Sequence, residues 1–396
     1  MSRVLLAWEL GNNLGHISRL LPLARRLKLR GHTVLVAARD VTTASRSLGP
    51  AGIPFVQAPF AARLPGAAHQ PVSYADLLAA QGWADAGALW GLVQAWCNLL
   101  RLCRAEVAVL DYAPTALLAS RALHVPTIAV GTGFELPPSK EPLPPFPGFP
   151  EATADSAARA EITVLANANK VLEALGMPRA RSLARVLDPE HCFLTTFAEL
   201  DHYGARPDAD YVGPINSLND DQALDWSADA ERMVFAYLRA DTPSLSAILE
   251  GLAHCGRPVV CYAPDVSAEL CRSFRGPSFA FSDRPVLLES LFKVTDLCVS
   301  YAPAGLVTSG LLSGIPQLLS PAHLEAQLTA HRVELLGGGL ILRGPQTGTT
   351  VGKVIETLLR TARFRERAQA FAQRYVHCSP GAAVEKITDH IESLAA

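Results

Sequence analysis

Residues 3–38 read RVLLAWELGNNLGHISRLLPLARRLKLRGHTVLVAA. An apolar run, RVLLAW (3–8), gives way to a turn of glycine and asparagine. Ile17, Leu20, Leu21, Ala24 and Leu27 then recur at helical spacing, which predicts a helix over 17–30. Gly31 stops it, and TVLVAA (33–38) reads as a second strand. Strand, helix and strand in this order predict a parallel sheet wound with helices. The same stretch places His16 beside Gly15, at the entrance to the helix. An imidazole there suits a general base, because its pKa lies near neutrality. It also suits a helix cap shared with Asn13, and the residues alone leave both readings open.

The alternation continues outward. IPFVQA (53–58), VAVLD (107–111) and PTIAVGT (126–132) read as strands, with a helix over 114–122. A second pattern follows residue 210. Its strands are MVFAYLR (233–239), PVVCYAP (258–264), SFAFSD (278–283), DLCVSYA (296–302) and PQLLS (316–320). Helices are expected over 244–256, 305–313, 323–336 and 381–396. The stretch DHYGARPDADYVGPIN (201–216) is rich in Gly, Pro and Asp and reads as an interdomain linker. The proline-rich PPSKEPLPPFPGFP (137–150) can be neither helix nor central strand. It reads equally as a rigid surface loop or as a stiff pocket wall. Doubly wound sheets bind ligands at the C-terminal ends of their strands.

Composition narrows the classes. Of 396 residues, 49% are hydrophobic and 18% charged, which suits large buried sheets and excludes long disordered tracts. A formal net charge of -2 gives no reason to expect nucleic acid as partner. The eight cysteines form no C-x-x-C pair and read as buried, reduced thiols. No signal-peptide layout and no membrane-spanning run is evident, so the expectation is a cytoplasmic protein. No H-E-x-x-H, paired-cysteine or aspartate-rich metal pattern appears, and no metal is expected.

Four stretches together resemble the GT-B glycosyltransferases, the group that includes UDP-glycosyltransferases and bacterial macrolide glycosyltransferases. They are GHISRLLPLARRLKLRGHTV (15–34), LDYAPTALLASRALHVPTIAVGT (110–132), DYVGPI (210–215) and SYAPAGLVTSGLLSGIPQLLSPAHLEAQLTAHRVELLGGGLIL (300–342). The resemblance implies an α/β fold of two Rossmann-like, doubly wound parallel-sheet domains facing each other across a cleft. Residues 1–205 would form the acceptor-side domain and 206–380 the donor-binding domain, with helix 381–396 packing back on the first. It implies inverting, metal-independent transfer from a nucleotide-diphosphate sugar, as co-substrate rather than cofactor, to a small apolar acceptor bearing a hydroxyl. His16 would be the base and Asp111 its orienting carboxylate, although Asp111 equally suits an N-cap for the helix at Pro114.

On the donor side the expected His-Gly-Gly-x-Gly-Thr-type loop reads Tyr301, Ala302, Pro303, Ala304, Gly305, Leu306. Tyr301 stands where a phosphate-binding histidine is expected, and Ser309 where a ribose-binding glutamate is common. Gly15, Gly305, Leu306, Ser309 and Ser320 remain donor-binding candidates. Arg239 could reach a phosphate or pair with Asp241. Glu325 matches the family's acidic sugar contact, whereas Gln327 falls one residue late, about 100° round the helix. Trp83, Trp90 and Phe134 are acceptor-pocket candidates, and core packing is the alternative for the tryptophans. The departures in the donor loop favour a rival reading, a binding or auxiliary protein that keeps the fold and has lost catalysis. An epimerase or hydrolase on the same plan would need further acid–base groups.

Overall fold

The computed structural model describes residues 1–11, 14–61, 71–215 and 232–395. The chain divides into two compact units, Met1–Ser217 with Ser379–Ala396, and Leu218–Cys378.

In the first unit the described residues form a seven-stranded sheet. Its strands are β1 (Arg3–Trp8), β2 (Thr33–Ala38), β3 (Phe55–Gln57), β4 (Val107–Asp111), β5 (Thr127–Gly131), β6 (His191–Leu194) and β7 (Asp210–Tyr211). They lie in the order β3-β2-β1-β4-β5-β6-β7, and every pair is parallel. The central strands are continuously apolar because both faces of the sheet are covered. The strand order reverses between β1 and β4, with Trp8 opposite Asp111 in register.

The first helix runs over Leu14–Leu29, three residues earlier than its apolar spacing predicts, so His16 lies inside its first turn. Its apolar face packs Ile17, Leu20, Leu23 and Leu27 against Val4, Leu6 and Trp8 of β1. The helix Pro380–Leu394 joins the same core through Ile387 and Ile391, both fully buried. Each such side chain contributes about 1.5–3 kcal/mol. The Arg30 ion pairs with Glu385, Asp389 and Glu392 lie at the wet edge and are screened. Apolar burial therefore holds this helix in place.

Residues 201–216 do not form the linker that their composition suggests. As far as 215 they build into the first unit. Asp201 is fully buried, pairs with Arg206 at 2.8 Å and accepts from the Tyr211 hydroxyl at 2.7 Å. Asp210–Tyr211 completes the sheet as an edge strand. The division between units thus falls at Ser217/Leu218 instead of 205/206.

In the second unit the described residues form a six-stranded parallel sheet. Its strands are β8 (Met233–Tyr237), β9 (Val259–Tyr262), β10 (Phe279–Ser282), β11 (Thr295–Ser300), β12 (Gln317–Leu319) and β13 (Gly339–Ile341). The order is β10-β9-β8-β11-β12-β13, which reverses between β8 and β11, where Tyr237 lies opposite Ser300. Ile248, Leu249 and Ile355 from flanking helices pack on Val234, Ala236 and Val299. All eight cysteines are free, but only Cys97, Cys261 and Cys298 are buried; the other five are partly exposed, against the expectation. Among the described residues no helix is long and apolar enough to cross a membrane.

Candidate functional site

Each switch point leaves a pair of loops at the C-terminal ends of two adjacent strands, where doubly wound sheets place ligands. In the first unit these loops bring His16 and Asp111 together. His16 Nδ1 lies 2.9 Å from Asp111 Oδ1, in a site where His16 is 8% exposed and Asp111 0%. A carboxylate only accepts, so Nδ1 carries a hydrogen, and when the ring is neutral the lone pair lies on Nε2. Trp8, at the end of β1, stacks beneath the imidazole at 5.1 Å between ring centres.

Two residues absent from the sequence reading complete the group. Arg19 Nη1 donates to Asp111 Oδ1 at 2.6 Å and to Glu135 Oε1 at 3.3 Å. Glu135 Oε2 accepts from the Thr132 amide at 2.5 Å and from the Thr132 hydroxyl. Burial by itself would lower the His16 pKa, but the charge and hydrogen bond of Asp111 and the charge of Glu135 outweigh it. The net shift is upward, with Arg19 opposing it. Burial likewise disfavours ionised Glu135, yet Arg19 and His16 hold its carboxyl well below the usual range. A signal for Arg19 was present. It follows His16 by three residues, on the helix face that carries Leu20 and Leu23, and a charge on such a face needs a buried partner. No pattern marked Glu135, which a loop after β5 delivers.

One sequence reading changes here. Asp111 does not cap the helix Pro114–Ala122, whose N-cap is Ala113. Glu9 does that work, accepting from the Thr115 amide at 2.9 Å and the Ala116 amide at 3.4 Å. Burial raises the Glu9 carboxyl to about 7, against those hydrogen bonds. Gly11 is the glycine that lets the turn lie close against His16. A Cβ on Gly11, which has φ +77, would lie 2.6 Å from His16 Nε2, whereas one on Gly15 would meet nothing within 4 Å. Asn13, the partner in the helix-cap reading, lies outside the described residues.

Among the described residues, His16, Asp111 and Glu135 form the group that brings three potential metal-ligand atoms within 4.8 Å. The Arg19 guanidinium bonds both carboxylates, so the cation matched to this group is already supplied by the chain.

Of the acceptor candidates, Phe134 comes to the site, packing edge-on to Tyr112 at 5.9 Å. Trp83 does not. It is fully buried, and its indole N–H donates to Thr115 Oγ1 at 3.1 Å, which makes it a core residue. Trp90 is half-buried on the helix Ala86–Cys103. The proline-rich stretch buries Leu143 and Phe146, and Phe146 stacks on Phe134 at 6.0 Å. It is therefore anchored to the aromatic group around Tyr112, not draped over the surface. A cavity of about 50 Å³ lies beside Tyr74, Tyr112, Leu117 and Glu135.

In the second unit, Tyr301 packs edge-on to Tyr237 at 5.2 Å. Arg239 lies two residues beyond β8 and pairs with Asp265 at 2.8 Å, not with Asp241. Ala304, Gly305 and Leu306 open the helix Ala304–Leu312, whose N-cap Pro303 offers no side-chain partner. Their first-turn amides have no intrahelical acceptor, and a helix end of this kind suits an anion. Ser309 spends its hydroxyl on the Gly305 carbonyl at 3.0 Å, and Ser320 on the Pro243 carbonyl at 2.8 Å. Both are structural in this state. Glu325 and Gln327 are half-buried in the first turn of the helix Leu324–Leu336.

No protein-family model matches the sequence, and no curated protein matches it. Solved structures match along its whole length. The spinosyn rhamnosyltransferase SpnG is 16% identical, with 98% of this chain and 100% of that one covered and a TM-score of 0.69. SpnG is also known complexed with thymidine diphosphate and with spinosyn aglycone. The glycosyltransferase VinC, in complex with dTDP, is 15% identical, covers 99% of each chain and gives a TM-score of 0.69. The calicheamicin glycosyltransferase CalG4 is 15% identical, with 99% and 98% covered and a TM-score of 0.70. The likeness is one of fold: two parallel sheets flanked by helices, the GT-B arrangement of these glycosyltransferases.

Proposed function

We propose that this chain is an inverting, metal-independent glycosyltransferase. It moves a sugar from a nucleotide-diphosphate sugar to a hydroxyl on a small, apolar acceptor. The observation that carries the reading is the His16–Asp111 couple at the switch point of the first sheet of a GT-B fold. His16 Nε2 takes the proton from the acceptor hydroxyl as that oxygen bonds the anomeric carbon. The bond from the anomeric carbon to the diphosphate breaks, and the nucleoside diphosphate leaves with the electron pair. Attack opposite the leaving group inverts the centre. Asp111 balances the imidazolium that forms.

The free amides at Ala304 to Leu306, with Arg239, meet the charge of the departing diphosphate without a divalent ion. Rings of Tyr112, Phe134 and Phe146 suit an apolar acceptor. Structural neighbours known with thymidine diphosphate or an aglycone support the same division of ligands.

Calorimetric titration with UDP and dTDP, followed by donor turnover with a panel of polycyclic alcohols, tests this. Saturable binding of at least one nucleoside diphosphate, and turnover with its sugar, is expected. Absence of all nucleotide binding would overturn the reading. Binding without turnover in any combination would favour the rival suggested by Tyr301 and Pro303, a protein of this fold that has lost catalysis.

A further inference from the structure

We propose that Arg19 is a positioning residue that supports His16 as a base, by supplying a buried positive charge that offsets part of the pull of two carboxylates on the imidazole. The inference rests on the role proposed for His16. Its observations are geometric. Nitrogen and oxygen atoms of His16, Asp111 and Glu135 converge within 4.8 Å, and all three residues are buried. Two ionised carboxylates around one buried imidazole favour the imidazolium, which has no lone pair to accept a proton. Arg19, 6% exposed, bonds both carboxylates and changes that balance. With it, the group carries one net negative charge when His16 is neutral and none when His16 is protonated. Without it, these charges become two and one.

Arg19 also fixes a direction. Its Nη1 and His16 Nδ1 share the single oxygen Asp111 Oδ1, at 2.6 and 2.9 Å, while Asp111 Oδ2 has no hydrogen-bond partner among the described residues. The carboxylate is thereby held in one rotation, and the imidazole in one tautomer. Glu135 is divided in the same way, with Oε2 on Thr132 and Oε1 on Arg19. Other ionisable groups nearby have their own partners. Glu9 accepts from the Thr115 amide, and Arg39 donates to the Glu9 carbonyl. Asp201 pairs with Arg206. The phenols of Tyr74 and Tyr112 and the imidazole of His202 complete the surroundings.

The experiment follows the His16 ring by NMR through pH, assigned by its loss in His16→Gln, alongside the pH profile of transfer. Arg19→Met should raise the His16 titration midpoint by about one pH unit or more. Transfer at neutral pH should then fall at least tenfold and recover as pH rises. Glu135→Gln, whose amide oxygen can still accept from Thr132, should move the midpoint down. The pair Arg19→Met/Glu135→Gln should return it toward the native value, and Arg19→Lys should hold it there. A residue that only packs would move none of these midpoints. An unchanged or lowered midpoint in folded Arg19→Met overturns the proposal. If that variant does not fold, an unmoved midpoint in Glu135→Gln together with one in the double variant displaced from the native value does so. If the midpoints shift as stated but the rate profile does not follow them, the base role of His16 fails and the electrostatic assignment to Arg19 stands.

Discussion

The two switch points have the same topology and opposite chemistry. At β1/β4 the chain gathers His16, Arg19, Asp111 and Glu135, four ionisable side chains nearly withdrawn from water. At β8/β11 it gathers Tyr237, Tyr262 and Tyr301 around one half-exposed arginine. Even a backbone detail is shared. Tyr112 just after β4 and Ala302 just after β11 both adopt positive φ, at 49° and 64°, a conformation that costs a side-chain-bearing residue about 1–2 kcal/mol. The common turn shows that strand order determines where a site forms. What differs is the source of charge. The first site can bury charges because they pair with one another, and such a group can accept and release a proton. The second presents amides at a helix end and one arginine, groups that suit an anion and do not titrate near neutrality.

That contrast can be broken directly. His16→Ala should lower transfer by about 10²–10⁴-fold and leave nucleoside diphosphate affinity nearly unchanged. Arg239→Ala should weaken nucleoside diphosphate binding by roughly tenfold or more and leave the His16 titration in place. Calorimetry and steady-state rates on both variants check this, and a variant that moved both quantities equally would erase the division of labour.

The next effect is on stability. Glu9 has its folded pKa raised to about 7. Its contribution is therefore fully present below its unfolded pKa and lost as pH rises through about 7. Glu9→Gln keeps an acceptor for the Thr115 amide and removes that loss. Its stability relative to the native chain should rise between pH 5 and 8, by on the order of 2–3 kcal/mol at most. Urea denaturation at several pH values reads this, and a difference independent of pH would reject it.

The smallest effects separate the two glycines. Gly11→Ala places a Cβ in a left-handed turn against His16 Nε2 and should cost about 1–2 kcal/mol. Gly15→Ala enters open space in the first helical turn and should be neutral or stabilising by under about 1 kcal/mol. Thermal midpoints of the two variants in the opposite order would show that Gly15 is the constrained position.

Much of the fold was legible because its strands are apolar runs separated by helices with a clear stripe. All sixteen predicted strands and helices correspond in place to β1 to β5, β8 to β12 and the helices Leu14–Leu29, Pro114–Ala122, Leu245–Ala253, Ala304–Leu312, Leu324–Leu336 and Pro380–Leu394. Illegible parts have particular causes. β6 reads HCFL and β7 is a two-residue edge, too short for any period to show. The helix Ala154–Ala174 buries Ala157, Glu161, Val164, Ala168 and Val171, a correct spacing hidden by small residues and one carboxylate. Glu161 is at home there because it accepts from the Leu143 and Leu183 amides, both at 2.8 Å.

By itself, the sequence determined the alternation of strands and helices that builds the two wound sheets, and its resemblance to a family implied the pairing of His16 with Asp111. The alternation follows from local periodicity, which the chain states residue by residue. Tertiary structure alone decided that Glu9 rather than Asp111 caps the next helix, that Gly11 rather than Gly15 must lack a side chain, and that Arg19 meets Glu135 across 116 positions of chain. Those are contacts between elements remote in sequence. Their energies depend on burial and distance, which no local pattern encodes.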